Sequence, residues 1–436
     1  MTRLPSEYRP RSAWLIAVLL AFMMLVNFLD KVVIGLVAVP MSTELGLSPV
    51  EFGLIGGALH WLFALSAIVG GFIADRRPTR WLLLAMGIFW AVVQLPMLFV
   101  SSLWAIVACR VLLGVGEGPA SPVATHALYK WFPNEGRSLP VALLHAGSAM
   151  GLLVAGAMIP AITAHYGWRM NFAVLSAIGL AWCVAWLLLG REGQLERSVT
   201  RHTSGERIAY RHLLADPSVL ANFLCHFAAN WSLALTLTWV PSYLQNGLGI
   251  DPIHTGRIFV LFVLITTPLS LGLAALSQRL LRRGHGSRVA RGIFVSACLI
   301  LSGLLSAALI LPGLSVIARM ACLTLSGGLA LVMYSVGPAM LGEIVPNGQR
   351  GGVLAIGNAI ASLAGLAAPV VTGVLVHGAG AAHPQGYAQG FAVCGAVAVL
   401  AGLIGWWCLD PERSRNRLRS GAVVTAAPVS TADKPV

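Results

Sequence analysis

Residues 13–39 read AWLIAVLLAFMMLVNFLDKVVIGLVAV, an apolar run free of charge except for Asp30 and Lys31 side by side near its middle. A stretch this long and apolar is a membrane-helix candidate, since about 20 such residues cross the hydrocarbon core. Either charge at the centre of such a helix costs about 2.5–3.5 kcal/mol on insertion scales. The pair therefore needs an offsetting partner or a use.

The same pattern recurs along the chain. Of 436 residues, 57% are hydrophobic and 10% charged, with a mean hydropathy of +0.80. Soluble domains are about one quarter charged, so the composition points to a polytopic membrane protein. Apolar runs predict twelve spanning helices, near residues 13–39, 51–75, 81–100, 103–128, 138–163, 170–190, 217–244, 257–281, 290–311, 315–341, 352–376 and 388–409. The first run is too long for a cleavable signal and lacks a small-residue cleavage site. Seven scattered cysteines, without metal-ligand spacing, read as small packed hydrophobes.

A net charge of +13 invites a nucleic-acid reading, but the placement of the charge excludes it. Basic residues gather in every second gap: Arg76, Arg77 and Arg80; Lys130 and Arg137; Arg191 to Arg211; Arg279 to Arg291; Arg350; Arg413 to Arg419. The alternate gaps hold few. That is the positive-inside pattern, and it predicts both termini in the cytoplasm. The expected organisation is a six-helix bundle over residues 1–190, a cytoplasmic linker at 191–216, a second bundle at 217–410 and a disordered cytoplasmic tail at 411–436. An internal echo supports two halves: Pro133-Asn134-Glu135-Gly136-Arg137 and Pro346-Asn347-Gly348-Gln349-Arg350 lie 213 residues apart, each ahead of a Gly/Ala-rich helix. Paired repeats with a site between them are a transporter architecture.

Gly71-Phe72-Ile73-Ala74-Asp75-Arg76-Arg77-Pro78-Thr79-Arg80, between the second and third helices, resembles the G-x-x-x-D-R-x-G-x-R loop of the major facilitator superfamily, with Pro78 in place of the second glycine. Arg110 followed by Gly114-Val115-Gly116-Glu117-Gly118-Pro119 resembles, within that superfamily, the anion:cation symporter family of hexonate, hexarate and aromatic-acid symporters, sialin and vesicular glutamate transporters. Asn27-Phe28-Leu29-Asp30-Lys31, Trp131-Phe132-Pro133 with Arg137, Gly167-Trp168-Arg169 with Phe172, Trp239-Val240-Pro241-Ser242-Tyr243-Leu244 and Gly357-Asn358 match further motifs of it. The resemblance spans about residues 15 to 410. It implies an all-α fold of twelve transmembrane helices in two pseudo-symmetric bundles, a gating loop carried by Gly71, Asp75, Arg76 and Arg80, and no cofactor.

The residues themselves narrow the site. The only acids deep within predicted helices are Asp30 and Glu117, and the only comparably deep bases are Lys31 and Arg110. Arg110 and Glu117 are seven apart, about 700° around a helix, so they share a face. Intramembrane ionisable groups mark ion or substrate routes, although a structural ion pair between two helices is the plainer alternative. A carboxylate taken out of water binds a proton more readily, and a neighbouring cation opposes this, so anion and proton occupancy become coupled. The resemblance independently assigns proton coupling to the positions of Asp30 and Glu117, tuned by Arg110, and substrate carboxylate binding to the position of Lys31. It also places Phe28, Phe63, Ser148, Ser335 and Asn358 on cavity-lining positions. His60 and His226, with Asn230, are the polar residues expected to join them from the second and seventh helices.

Two departures bear on specificity. Lys31 stands where the family has Arg, giving a point charge without the bidentate fork. Phe28 and Phe63 replace tyrosines of the sugar-acid members, which removes hydroxyls from the cavity. The reading that follows is a proton-coupled importer of a small organic anion, an aromatic or sugar-acid-like monocarboxylate, acting as a single chain in a bacterial inner membrane. An exporter or anion exchanger of the same fold is the alternative. A ligand sensor is disfavoured by the short termini, and an ATP-driven pump by the lack of any nucleotide motif.

Overall fold

The computed structural model describes residues 10–132, 136–193, 208–346, 349–380 and 383–425; the side chains of Asp75, Ser138 and residues 420–425 lie outside the description. Twelve helices are long and apolar enough to cross a membrane: α1 (Pro10–Leu36), α2 (Pro49–Ala74), α3 (Thr79–Leu98), α4 (Leu103–Tyr129), α5 (Leu139–Tyr166), α6 (Arg169–Leu189), α7 (Pro217–Thr238), α8 (Pro252–Arg282), α9 (Arg288–Ala308), α10 (Val316–Ile344), α11 (Arg350–Ala379) and α12 (Pro384–Cys408). Each coincides with an expected span to within about six residues. Most of the linker expected at 191–216 falls on 194–207, outside the described residues.

Short connections start helices with well-placed caps. Ser48 and Glu51 form a reciprocal capping box ahead of α2, with Ser48 N donating to Glu51 Oε2 at 2.8 Å. Asp216 and Asp251 cap α7 and α8, each followed by a proline at the first helical position, where the missing N–H costs nothing. The tail departs from expectation. Residues Pro411–Thr425 form a helix, α13, rather than a disordered segment. Asp410 accepts from Arg413 N at 3.1 Å, Pro411 opens the first turn, Leu418 is buried and Arg417 pairs with Asp216. The apparently structureless composition of the last residues hid a capped and anchored turn just before them.

With an even number of crossings, the first and last helices begin and end on one face, here termed the terminal face; the opposite is the far face. Helices pack through glycines because apolar side chains gain little by leaving lipid, so close backbone approach supplies the attraction. A Cβ at Gly147 would stand 2.0 Å from the Ala21 carbonyl oxygen, which fixes α5 on α1.

The two six-helix halves meet mainly through α1 with α7, α2 with α11 and α5 with α8. These contacts use the far-side portions of the helices. Gly35 seats on the Leu237 carbonyl, Gly53 on that of Pro369, Gly57 on that of Leu366, Gly373 on that of Pro49, and Gly256 on that of Gly156. Phe52 meets Trp239 edge to face at 5.0 Å. The molecule is closed on its far side down to the level of His60, whose ring abuts Gly365 of α11.

Candidate functional site

Asn27, Asp30, Arg110 and Glu117 are all buried, at 0%, 0%, 3% and 1% exposure, in the middle of the first half. The local sequence of α4 explains how they come together. In Gly114-Val115-Gly116-Glu117-Gly118-Pro119 the alternate glycines face three neighbours. A Cβ at Gly114 would lie 1.9 Å from the Leu59 carbonyl oxygen, one at Gly116 2.6 Å from Trp90 Nε1, and one at Gly118 2.3 Å from the Phe63 carbonyl oxygen. Pro119 fills the space above Gly70 of α2. Removing three side chains lets α2 and α3 close around α4, and Glu117 is the polar group carried into the centre. The opposing segment of α2 relaxes into a turn, with His60 N bonded to the Gly57 carbonyl at 2.9 Å, and this places His60 and Phe63 beside it.

Lys31 is the centre of the arrangement. Its Nζ donates to Asn27 Oδ1 at 2.8 Å, lies 3.8 Å from Glu117 Oε2, and sits 4.6 Å and 5.3 Å from the ring centres of Phe28 and Phe63. The His60 ring is 5.7 Å from that of Phe63. Lys31 keeps 16% of its side-chain exposure while Glu117 has none, so solvent reaches the cation and not the acid. Arg110 does not pair with a carboxylate as expected. Its Nη1 donates to the backbone carbonyl of Asp30 at 3.1 Å, because the Asp30 side chain points away, into the interior of the half. Both oxygens of Asp30 and of Glu117, Asn27 Nδ2, Arg110 Nε, His60 Nδ1 and Ser148 Oγ are buried without a hydrogen-bond partner. Native interiors pair nearly all such atoms, so a cluster of exceptions calls for an explanation in function.

The second half contributes a neutral set. His226 packs edge to face on Tyr334 at 5.0 Å; Tyr334 Oη donates to Asn230 Oδ1 at 2.7 Å; Asn230 Nδ2 donates to the Ala361 carbonyl at 2.7 Å. His226 is largely buried by this packing. Ser335 and Asn358 are exposed. Tyr334 escaped the sequence reading, as did Trp90 and Gln94, and Asn27 entered it only as part of a motif; a polar atom on a membrane helix was the available signal, but only tertiary contacts separate these from ordinary packing residues.

At the terminal face, Gly71 is half-buried and Arg76 exposed, and the side chain of Asp75 is outside the description. Arg80 joins a clasp organised by Glu192, another residue unforeseen from sequence. Glu192 accepts from Arg80 N at 2.8 Å, Thr79 Oγ1 at 3.0 Å and Lys130 Nζ at 2.7 Å, tying the ends of α3, α4 and α6. Burial works to raise the Glu192 carboxyl, but Lys130, the Arg80 amide and Thr79 more than offset it and hold it below its ordinary value. On the far side, Glu44 accepts from Trp168 Nε1 at 2.7 Å and pairs with Arg169. Among the described residues no cluster of His, Cys, Asp or Glu is arranged to hold a metal ion.

Twelve apolar helices, two packed halves and a buried charge cluster facing a solvent-reached lysine define a multi-pass membrane transporter. The family model described as Major Facilitator Superfamily matches residues 20–316, and the chain belongs to that family. It is 25% identical over 397 residues to the hexuronate transporter of Bacillus subtilis (strain 168), covering 87% of this chain and 90% of that one. It is 29% identical over 264 residues to the probable anion transporter 4, chloroplastic, of Oryza sativa subsp. japonica, covering 57% of this chain and only 44% of that longer protein. A bacterial homolog of the human lysosomal transporter Spinster, in an inward-facing and unoccupied conformation, superposes with a TM-score of 0.80 at 17% identity, covering 94% of this chain and 99% of that one.

Proposed function

We propose that this protein is a proton-coupled importer of a small organic anion, working by alternating access in a bacterial inner membrane with its terminal face in the cytoplasm. One observation carries the proposal: Lys31, the solvent-reached cation, stands 3.8 Å from Glu117, a fully buried carboxylate with no hydrogen-bond donor of its own. Ionised, Glu117 is the anion that Lys31 attends. Protonated, it releases Lys31 to bind the carboxylate of a substrate. The exchange is electrostatic, because a buried charge without a partner costs several kcal/mol.

Charge counting gives the same result. Asp30, Glu117, Lys31 and Arg110, all ionised, sum to zero. A monovalent anion adds one negative charge, and one proton cancels it. The loaded site is then as neutral as the empty one, and both can pass through the occluded state that the rocking of two halves requires. A site holding the anion without the proton is retained on the side where it can still exchange with water. The far-side closure described above corresponds to a state open toward the cytoplasm.

The relatives' names support an anionic cargo: hexuronate in one case and an anion in the other. Phe28 and Phe63 around Lys31 present aromatic faces where a polyhydroxylated acid would call for hydroxyls, and favour an aromatic or sparsely hydroxylated monocarboxylate. The substrate is found by thermal-shift screening of a carboxylate panel on purified protein, followed by uptake into proteoliposomes. Glu117→Gln is expected to abolish accumulation driven by an inward proton gradient while sparing counterflow exchange. Normal accumulation by that variant, or wild-type uptake indifferent to the gradient, refutes the coupling.

A further inference from the structure

Asp30 and Lys31 are neighbours in sequence but occupy different compartments. They lie about 100° apart around α1. Lys31 shares a face with Asn27 and Phe28, which it contacts. Asp30 shares a face with Met23 and Val26, and with them it lines a small gap inside the first half, between α1, α3 and α6. Across that gap stand Trp90 and Gln94 of α3; Gly179 faces Ala91 at its edge, and Gly87 is packed under the Trp182 ring. The indole nitrogen of Trp90, Oε1 of Gln94 and both carboxylate oxygens of Asp30 are buried without a hydrogen-bond partner. Gln94 and the carboxylate line the same gap.

One donor, one neutral acceptor and one carboxylate around a gap with room for about one water are what an ordered buried water requires, namely two to four polar partners. An indole N–H beside a carboxylate suits water better than a bare metal cation, which would need oxygens all round. The indole edge of Trp90 also packs into the space left by Gly116 of α4.

We propose that this gap is a water site serving as the proton port of Asp30, with Trp90 and Gln94 as its positioning residues, separate from the face on which Lys31 meets the substrate. The water accepts the Trp90 N–H and donates to Gln94 Oε1 or to Asp30. In loading, one O–H bond of a protonated water breaks as the carboxyl O–H of Asp30 forms, and neutral water is left behind. In release the same transfer runs backward. The proton of Asp30 is thus exchanged inside the first half, on a different face of α1 from the one on which Lys31 meets the anion. This rests on the proton-coupled reading above and adds a route to it.

The test is hydrogen–deuterium exchange of the Asp30 carboxyl, read by infrared difference spectroscopy on the full chain in lipid and assigned by the band that Asp30→Asn removes. Gln94→Leu takes away the acceptor. Gly179→Ala fills part of the gap; its Cβ meets only Ala91, at 3.3 Å, which must give by a few tenths of an ångström. Both variants, first shown to be monodisperse, are expected to slow exchange roughly tenfold or more, as removal of a positioned proton-transfer partner does. A purely structural role for these residues would lower the melting temperature and leave the exchange rate alone. Wild-type rates in both variants overturn the port and leave the coupling reading standing. A wild-type Asp30 band that does not titrate across the neutral range overturns the coupling of Asp30, and the port with it.

Discussion

The two halves carry similar gaps in their interiors and fill them differently. The first, between α1, α3 and α6, is lined by Asp30, Trp90 and Gln94, whose polar atoms include four without partners. The second, bordered by α7, α8, α9, α10 and α12, is lined by Ser232, Thr236, Ser306 and Ser326 among apolar residues. There Ser306 Oγ meets Ser326 Oγ at 2.6 Å, Ser302 Oγ donates to the Ser326 carbonyl at 2.8 Å, and Thr236 Oγ1 donates to the Ser232 carbonyl at 2.9 Å. A hydroxyl both donates and accepts, and can satisfy itself on its own helix; an ionised carboxylate only accepts. The hydroxyls quoted for the second gap are paired as built, whereas the carboxylate of the first has no donor.

The same contrast runs along α4 and its counterpart α10. Leu103 and Val316, which open them, lie 213 residues apart, the offset of the internal echo. At that offset Arg110 becomes Leu323 and Glu117 becomes Ala330, both buried. The ends of these helices keep charge but exchange its sign. Lys130 of α4 pairs with Glu192 beyond α6, and its counterpart Glu343 of α10 pairs with Arg291 at 2.7 Å and with Arg415 beyond α12 at 3.6 Å. The scaffold and the clasp are repeated in the two halves, whereas the buried charges of α4 have apolar counterparts in α10.

The comparison breaks most visibly at its acids. Asp30→Asn is expected to reduce proton-driven accumulation by roughly a hundredfold or more, the scale for loss of a proton-transfer group. Ser326→Ala, in the equivalent gap, should leave accumulation near the wild-type level and cost about 1 kcal/mol of stability. Equal losses in the two variants, measured in proteoliposomes, would show that the halves are not divided as described.

Lys31→Ala comes next. Loss of a charge-assisted contact to an anion is worth about 1.5–3 kcal/mol, or roughly 10- to 150-fold in affinity by calorimetry with the anion that the screen identifies. Lys31→Arg should recover binding and shift preference among carboxylates, because a planar fork replaces a point charge. A smaller effect is expected at Tyr334, on the neutral side. Tyr334→Phe removes the donor to Asn230 and should change affinity about fivefold, near 1 kcal/mol, altering selectivity between substrates without changing the pH dependence of uptake.

The clasps supply the smallest effect. Lys130→Met should lower stability by about 1 kcal/mol or less, as part-exposed pairs do, and Glu192→Gln should cost more, because it also weakens the acceptor for the Arg80 amide and Thr79 Oγ1. The acid side gives an independent check. The Glu192 carboxyl is held below its ordinary value in the folded protein, so its contribution is fully present above the unfolded value near 4.3 and is lost as pH falls through the folded one. Melting temperatures followed from pH 7 downward should show a shallower acid-side loss in Glu192→Gln than in wild type.

Much of this was legible in residue order. Twelve apolar runs, alternating basic gaps and the repeated Pro-Asn…Arg segments specify the spans and the repeat, because lipid allows only helices whose backbone bonds are internal. Asp30, Lys31, Arg110 and Glu117 were identifiable because charge in such segments is costly enough to need a purpose. Gln94, Trp90 and Tyr334 were not, since a single amide, indole or phenol on a membrane helix is common and becomes informative only when its neighbours leave it unpaired or tie it to another helix. Glu192 and the helix at 411–425 were missed for a related reason: each depends on a partner distant in the chain, Lys130 in one case and Asp216 in the other.

The sequence by itself determined that Asp30 and Lys31 sit inside a membrane helix and cannot face lipid. Tertiary structure alone decided that they face apart, the acid into the first half and the base toward the aromatic rings and Glu117. The physical reason is the helix itself. A step of about 100° per residue turns adjacent side chains to different neighbours, and which neighbours those are depends on how α3, α4 and α6 pack around the glycines.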